Sequence, residues 1–179
     1  LGVEVELENV TGVDRDDYRK LRYWQAKSDG SLRDNGKEFV FKQPLSGADA
    51  AAALDELDTF IEENDIAPST NERTSVHVHL DVRDLTIEHM KSFSLLYLFV
   101  EKALMKYVDE SRTDNIFCLP FFKAETQLKA LREFVNNEEE DLYPFRQVER
   151  YAALNVAALY KFGSVEFRMH HGEYGAEKL

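Results

Sequence analysis

The stretch Gly2-Val3-Glu4-Val5-Glu6-Leu7 alternates apolar and acidic residues, and its reading decides the fold. Successive side chains of a strand point to opposite faces, so Val3, Val5 and Leu7 turn one way and Glu4 and Glu6 the other. Three further stretches repeat the pattern: Lys37-Glu38-Phe39-Val40-Phe41, Val76-His77-Val78-His79-Leu80-Asp81 and Val165-Glu166-Phe167-Arg168-Met169-His170. Strands of this kind in one sheet give an apolar face and a face dense in carboxylates and imidazoles. Like charges so crowded repel one another unless cations neutralise them. The pattern therefore predicts a metal-dependent site.

The surrounding chain supports a folded enzyme-sized unit. It has 179 residues, 44% hydrophobic and 12% aromatic, enough for a sizeable core rather than disorder. We expect a single catalytic domain over 1–179, cut short at both ends, because Leu1 stands directly before a strand. The formal net charge of −12 argues against a general nucleic-acid binder, which needs a basic surface, but leaves room for a phosphate held by a few arginines. No apolar run is long enough to span a membrane, and no signal peptide is visible. Cys118 is the one cysteine, so an intrachain disulfide and a CxxC zinc site are excluded and a reducing cytoplasm fits. Its neighbours Ile116, Phe117 and Leu119 mark it as a small core residue rather than a nucleophile.

Periodicity supplies the remaining elements. Residues 1–9 and 37–42 read as strands, 13–28 as irregular, and Ser31-Leu32-Arg33 as a short strand between two turns. Ser46 to Asp49 resembles a capping box, and Ala50, Ala53, Leu54, Leu57, Phe60 and Ile61 follow at helical spacing until Asn64 and Pro68. A strand at 75–82 precedes a long helix capped by Asp84 or Thr86 and running to about residue 109. That helix is apolar on most sides, which predicts a central position against the sheet. A shorter helix is expected at 124–136, a solvated loop at Glu138–Asp141, and then a hairpin with arms 151–159 and 164–170. The alanines at 152, 153, 157 and 158 make helix an alternative for the first arm. Strands that alternate this cleanly suit an α+β fold: a largely antiparallel sheet with helices packed on its apolar face.

Magnesium and manganese take oxygen ligands, and manganese accepts an imidazole as well. Glu4, Glu6, Glu38 and Glu166 supply the oxygens, and His77 or His79 the nitrogen. Zinc alone is better served by three histidines or by histidine with cysteine. Arg112, Arg150 and Arg168 stand near element ends or on the polar face, and guanidinium forks suit phosphate oxygens. Arg168 is the strongest of the three, two residues from Glu166 on the same face. Metal ions and arginines around phosphate are the parts needed for phosphoryl transfer.

Six segments in order, Gly2-Val3-Glu4-Val5-Glu6, Asp29-Gly30-Ser31-Leu32, Glu38-Phe39-Val40 with Pro44-Leu45-Ser46-Gly47, His77-Val78-His79, Arg150-Tyr151-Ala152-Ala153-Leu154-Asn155 and Val165-Glu166-Phe167-Arg168, resemble the amidoligase family. That family belongs to the carboxylate–amine ligase superfamily, with glutamine synthetase and glutamate–cysteine ligase, and many members are encoded by bacteriophages or lie in bacterial operons. The resemblance covers nearly the whole chain. It implies a glutamine-synthetase-type catalytic sheet, ATP and Mg²⁺ or Mn²⁺ as cofactors, and activation of a carboxylate as an acyl phosphate that an amine then attacks. It implies residue roles too. Glu4, Glu6, Glu38, His77 and Glu166 match metal ligands. Arg168 matches the arginine that steadies the transferring phosphoryl group, and Glu166 and Arg150 stand with it as catalytic positions. His79, Asn155 and Arg112 match positions near the nucleotide or substrate. The implied partners are a carboxylate and an amine, small molecules or peptides, in a bacterial or phage-infected cytoplasm; the oligomeric state is left open. Asp29 or Asp81 could accept the proton of the incoming ammonium.

Two other readings separate cleanly from this one. A metal-dependent hydrolase using His77, His79 and Asp81 turns over without nucleotide. A non-catalytic binding module on a degenerate ligase fold binds no nucleotide.

Overall fold

The computed structural model describes residues 1–136, 142–146 and 148–175. Among the described residues the fold is α+β with six strands and five α-helices. Two compact units divide it: Leu1–Val78 with the segment from His170 onward, and His79–Met169. The chain passes from one to the other within β4 (Ser75–Asp81) and within β6 (Ser164–His171).

In the first unit the strands hydrogen-bond in the order β2-β3-β1-β4. These are β1 (Gly2–Leu7), β2 (Trp24–Lys27) and β3 (Lys37–Phe41), with β3 antiparallel to both β1 and β2. The expected alternation holds: Val3, Val5 and Leu7 are buried with Phe39 and Phe41 of β3. Helix α2 (Gly47–Glu63) covers them with Ala53, Leu57, Phe60 and Ile61, whose spacing places all four on one side. Each large aliphatic or aromatic side chain so buried contributes roughly 1.5–3 kcal/mol. Trp24 is fully enclosed, and its Nε1–H donates to the Ala53 carbonyl at 2.6 Å, which ties β2 to α2.

Local chemistry differs from expectation at three places in this unit. Residues 13–28 are not irregular. Asp14 caps α1 (Arg15–Lys20) in a reciprocal capping box with Asp17, and Arg19 and Lys20 pair with Asp16 and Asp17 one turn back. Ser31-Leu32-Arg33 is turn and irregular backbone rather than strand. Gly36 explains part of that path: a Cβ there would lie 2.5 Å from the Leu32 Cβ and 2.9 Å from the Arg33 carbonyl oxygen, so the turn into β3 closes only around glycine. Ser46 is the N-cap of α2 but makes no side-chain cap bond; the Asp49 amide reaches its carbonyl instead.

In the second unit the order is β4-β6-β5, with β5 (Leu154–Asn155) antiparallel to β6. Thr86 caps α3 (Ile87–Leu104), exchanging hydrogen bonds with His89. Helix α4 (Glu125–Asn136) turns Ala130, Leu131 and Phe134 inward, and these join Met90, Tyr97, Leu154, Val156 and Val165 in the core. Tyr97 and Phe93 of α3 set their rings edge-on to Phe167 of β6. Helix α3 ends five residues short of the expected 109 and is not surrounded on all sides: Leu96 and Phe99 are 61% and 87% exposed. The hairpin arm expected at 151–159 is a two-residue strand followed by helix α5 (Ala158–Phe162), so the alanine-rich alternative prevails in part. Gly163 (φ +67°) makes the left-handed C-cap that releases the chain into β6. Cys118 is fully buried, as its apolar neighbours predict. Residues 138–141 lie outside the described residues. Among the described residues no helix is long and apolar enough to cross a membrane.

Candidate active site

The polar faces of the strands gather the acids unit by unit. In the first unit, Glu6 of β1 and Glu38 of β3 are direct cross-strand partners, and Lys27 of β2 is the partner of Glu38 on its other side. Two triads share Glu38. One is Glu4, Glu38 and His77, the other Glu6, Asp29 and Glu38, and within each the ligand atoms lie no more than 4.8 Å apart. Such sets of carboxylate oxygens with one imidazole match divalent-ion chemistry.

The electrostatics follow from the crowding. Burial, then the neighbouring Glu4 and Glu6, push the Glu38 carboxyl up to about 7, with Asp29 adding to the rise and Lys27 opposing it. A carboxyl with so raised a value holds its proton near neutrality until a cation replaces it. His77 is 1% exposed and closely held: its Nδ1 stands 2.9 Å from Glu4 Oε2 and its Nε2 stands 2.6 Å from Ser75 Oγ. Ser75 Oγ is in turn 2.5 Å from Glu6 Oε2. Asp29 reaches the group by a local turn, its Oδ1 accepting from the Ser31 amide at 2.7 Å and from the Ser31 hydroxyl at 2.5 Å.

Glu166 is the centre of a different arrangement in the second unit. It is 5% exposed, and both of its oxygens are engaged: Arg168 Nη1 donates to Oε1 at 2.6 Å and Asn155 Nδ2 to Oε2 at 2.6 Å. Asn155 and Glu166 are register partners in the β5–β6 ladder, which is why a two-residue strand suffices to bring them together. His79 has a ligand atom within 4.8 Å of the Glu166 carboxylate, and its Nδ1 lies 3.0 Å from Ser164 Oγ. The Tyr151 ring lies beneath two guanidinium groups, Arg150 at 4.8 Å and Arg168 at 5.7 Å, and its hydroxyl accepts from Arg150 at 2.7 Å.

Arg112 takes a deep position. It is fully buried, and its Nη2 donates to the Arg168 carbonyl at 2.9 Å while the Arg168 amide donates to Ala153 at 2.8 Å. Arg112 thus supports the backbone that carries Arg168. Asp81 is half-exposed and held by both ends of Arg83 at 2.8 and 2.5 Å, which keeps its carboxyl well below the usual carboxylate range.

The structure therefore assembles Glu4, Glu6, Glu38 and His77 as one cluster, and Asn155, Glu166 and Arg168, with His79 close to Glu166, as another. The alternation of the strands identified the acids. It did not identify Asp29 as a fourth carboxylate; its signal was the Asp29-Gly30-Ser31 turn. Ser75 and Tyr151 were missed as well, each one or two residues from a position the sequence marks.

These features define a class: an α+β chain whose antiparallel strands turn clustered carboxylates, an imidazole and a carboxylate-bound arginine to their polar faces. The chain belongs to the family described as a putative amidoligase enzyme, whose model matches residues 1–179. No curated protein and no solved structure matches it. The family's description is that of a ligase forming amide bonds.

Proposed function

We propose that this chain is an ATP-dependent carboxylate–amine ligase, working through an acyl phosphate with Mg²⁺ or Mn²⁺. The observation that carries the reading is Glu38, common to two triads of candidate ligands and pushed up to about 7 by burial and its acidic neighbours. That arrangement is costly without cations and is a good divalent-ion cradle with them. Glu4, Glu38 and His77 would hold one ion, and Glu6, Asp29 and Glu38 a second. Such ions bind ATP phosphates and offset the charge on the transferring group.

The reaction has two displacements. A substrate carboxylate oxygen attacks the γ-phosphorus of ATP, and the bond to the ADP oxygen breaks. The neutral amine nitrogen then attacks the acyl carbon of the mixed anhydride, inorganic phosphate leaves with the bonding electrons, and the nitrogen releases its extra proton to solvent. The amine needs this activation because a free acid would merely protonate it. Arg168, held flat by Glu166 and Tyr151 and supported from below by Arg112, is suited to the developing phosphoryl charge. Arg150, exposed beside the same ring, is suited to the carboxylate or phosphate of a substrate.

The test is ADP and phosphate release by the purified chain with Mg²⁺ or Mn²⁺, screened against amino acids, polyamines and short peptides. The reading expects release that rises when the acid and the amine are supplied together. Turnover without nucleotide favours a hydrolase instead, and absence of nucleotide binding favours a non-catalytic module.

A further inference from the structure

Ser75 lies between the two triads, and its hydrogen bonds decide which nitrogen of His77 faces the acids. The hydroxyl has one proton to give and two neighbours: Glu6 Oε2 at 2.5 Å and His77 Nε2 at 2.6 Å. When Nδ1 of His77 gives its lone pair to an ion, the one remaining imidazole proton sits on Nε2. The contact with His77 then has to be a donation from Nε2–H to the serine oxygen. That leaves the serine proton for Glu6, and it is Nδ1 that faces Glu4 Oε2, 2.9 Å away. Divalent ions meet nitrogen and oxygen ligands at about 2.0–2.2 Å, so two ligand atoms at this separation can share one ion.

The geometry points to Ser75 as a positioning residue that fixes His77 in the Nε2–H form, so that Nδ1 becomes the metal-binding atom of the Glu4–Glu38–His77 triad. The same hydroxyl holds Glu6, a member of the other triad, so one buried side chain sets the orientation of both. Serine, His77 and Glu6 are 1%, 1% and 5% exposed, which leaves water little scope to substitute for the hydroxyl. Hydrogen-bonded supports of this kind typically change metal affinity by about 10–100-fold when removed. The assignment rests on the metal-binding reading proposed above.

The experiment measures Mn²⁺ affinity by titration calorimetry for the full chain and for Ser75→Ala and Ser75→Thr, together with the imidazole ¹⁵N spectrum of the wild-type chain loaded with Zn²⁺. The expected result is a loss of about 10–100-fold in affinity for Ser75→Ala, with affinity restored in Ser75→Thr, which keeps the hydroxyl. The His77 spectrum should show a protonated Nε2 and a metal-bound Nδ1. Equal affinity in wild type and a folded Ser75→Ala overturns the role of Ser75 and leaves the metal centre standing. Metal on Nε2 in the wild-type spectrum overturns it without recourse to any variant. A wild-type chain that binds neither Mn²⁺ nor Zn²⁺ removes the metal centre itself, and the assignment of Ser75 falls with it.

Discussion

Glu6 and Glu38 face each other directly across the β1–β3 ladder, two acids where a cross-strand pair ordinarily avoids like charge. The consequence for metal-free protein has a definite sign. The Glu38 carboxyl is raised from 4.5 to about 7, first by burial and then by Glu4 and Glu6. Between those values the folded chain holds a proton that the unfolded chain has released. Stability must therefore fall as pH rises through that window and level off above it. Glu38→Gln removes the penalty. Since the group is partly solvated, we discount the effect to about 1–2 kcal/mol. For a chain of this length that is a rise of about 3–6 °C in Tm at pH 8, with little difference at pH 4. Thermal melts in chelator at both pH values check it; equal melting of the two proteins at pH 8 would contradict the picture of a crowded acid.

The reason some of this was legible in the sequence, and some not, is physical. The polar and apolar faces of β1, β3 and the start of β4 follow from a period of two, which burial enforces at every residue. Strand β2 escaped notice because Trp24-Gln25-Ala26-Lys27 is only four residues and carries no clear alternation. Asp29 reaches Glu6 and Glu38 through a turn, and turn geometry carries no periodic signal. Arg112 was visible as an arginine near an element end, but only the packing around it shows that its guanidinium supports the Arg168 backbone. The apolar sides of α3 misled in the other direction, because hydrophobic residues also occupy surface positions such as Phe99.

Glu8 continues the acidic alternation of β1 but turns it to structure. It is 3% exposed; Oε1 accepts from the Arg33 amide at 2.7 Å and Oε2 from Asn71 Nδ2 at 2.5 Å. It thereby fastens the loop that follows Asp29 to the strand that carries Glu4 and Glu6. Glu8→Ala leaves an amide and a side-chain amide without their acceptor, at about 1–3 kcal/mol each. We expect a loss of roughly 2–5 kcal/mol of stability by urea denaturation, larger than for Glu72→Ala on the neighbouring loop surface. A change under 1 kcal/mol would remove Glu8 as the fastener.

Arg168 and Glu166 provide the test of chemistry apart from folding. Arg168→Lys keeps the positive charge but loses the planar fork that meets Glu166 and lies over Tyr151. On the ligase reading, phosphate release should fall by about 100-fold or more, as for loss of other preorganised groups acting on developing charge. Glu166→Gln, which retains an acceptor for Asn155, should fall comparably while its far-ultraviolet spectrum stays that of the wild type. Wild-type turnover in both variants would remove this pair from the reaction.

Divalent metal should reverse the order of stability between wild type and Glu38→Gln. Without metal, the glutamine variant melts higher at pH 8, because it lacks the buried repulsion. With Mn²⁺, the wild type gains the binding free energy, which is about 2.7 kcal/mol when the free ion is at 100 times its Kd. Glu38 belongs to both triads, so the variant loses a charged carboxylate from each and gains far less. A Mn²⁺ titration followed by thermal melting should therefore show the two curves crossing as the ion concentration rises. The same exchange should appear in wild-type protein as a flatter dependence of Tm on pH when Mn²⁺ is present, since the ion takes the place of the proton on Glu38. Parallel curves that never approach one another would mean that the acids of β1 and β3 are crowded for some purpose other than holding a cation.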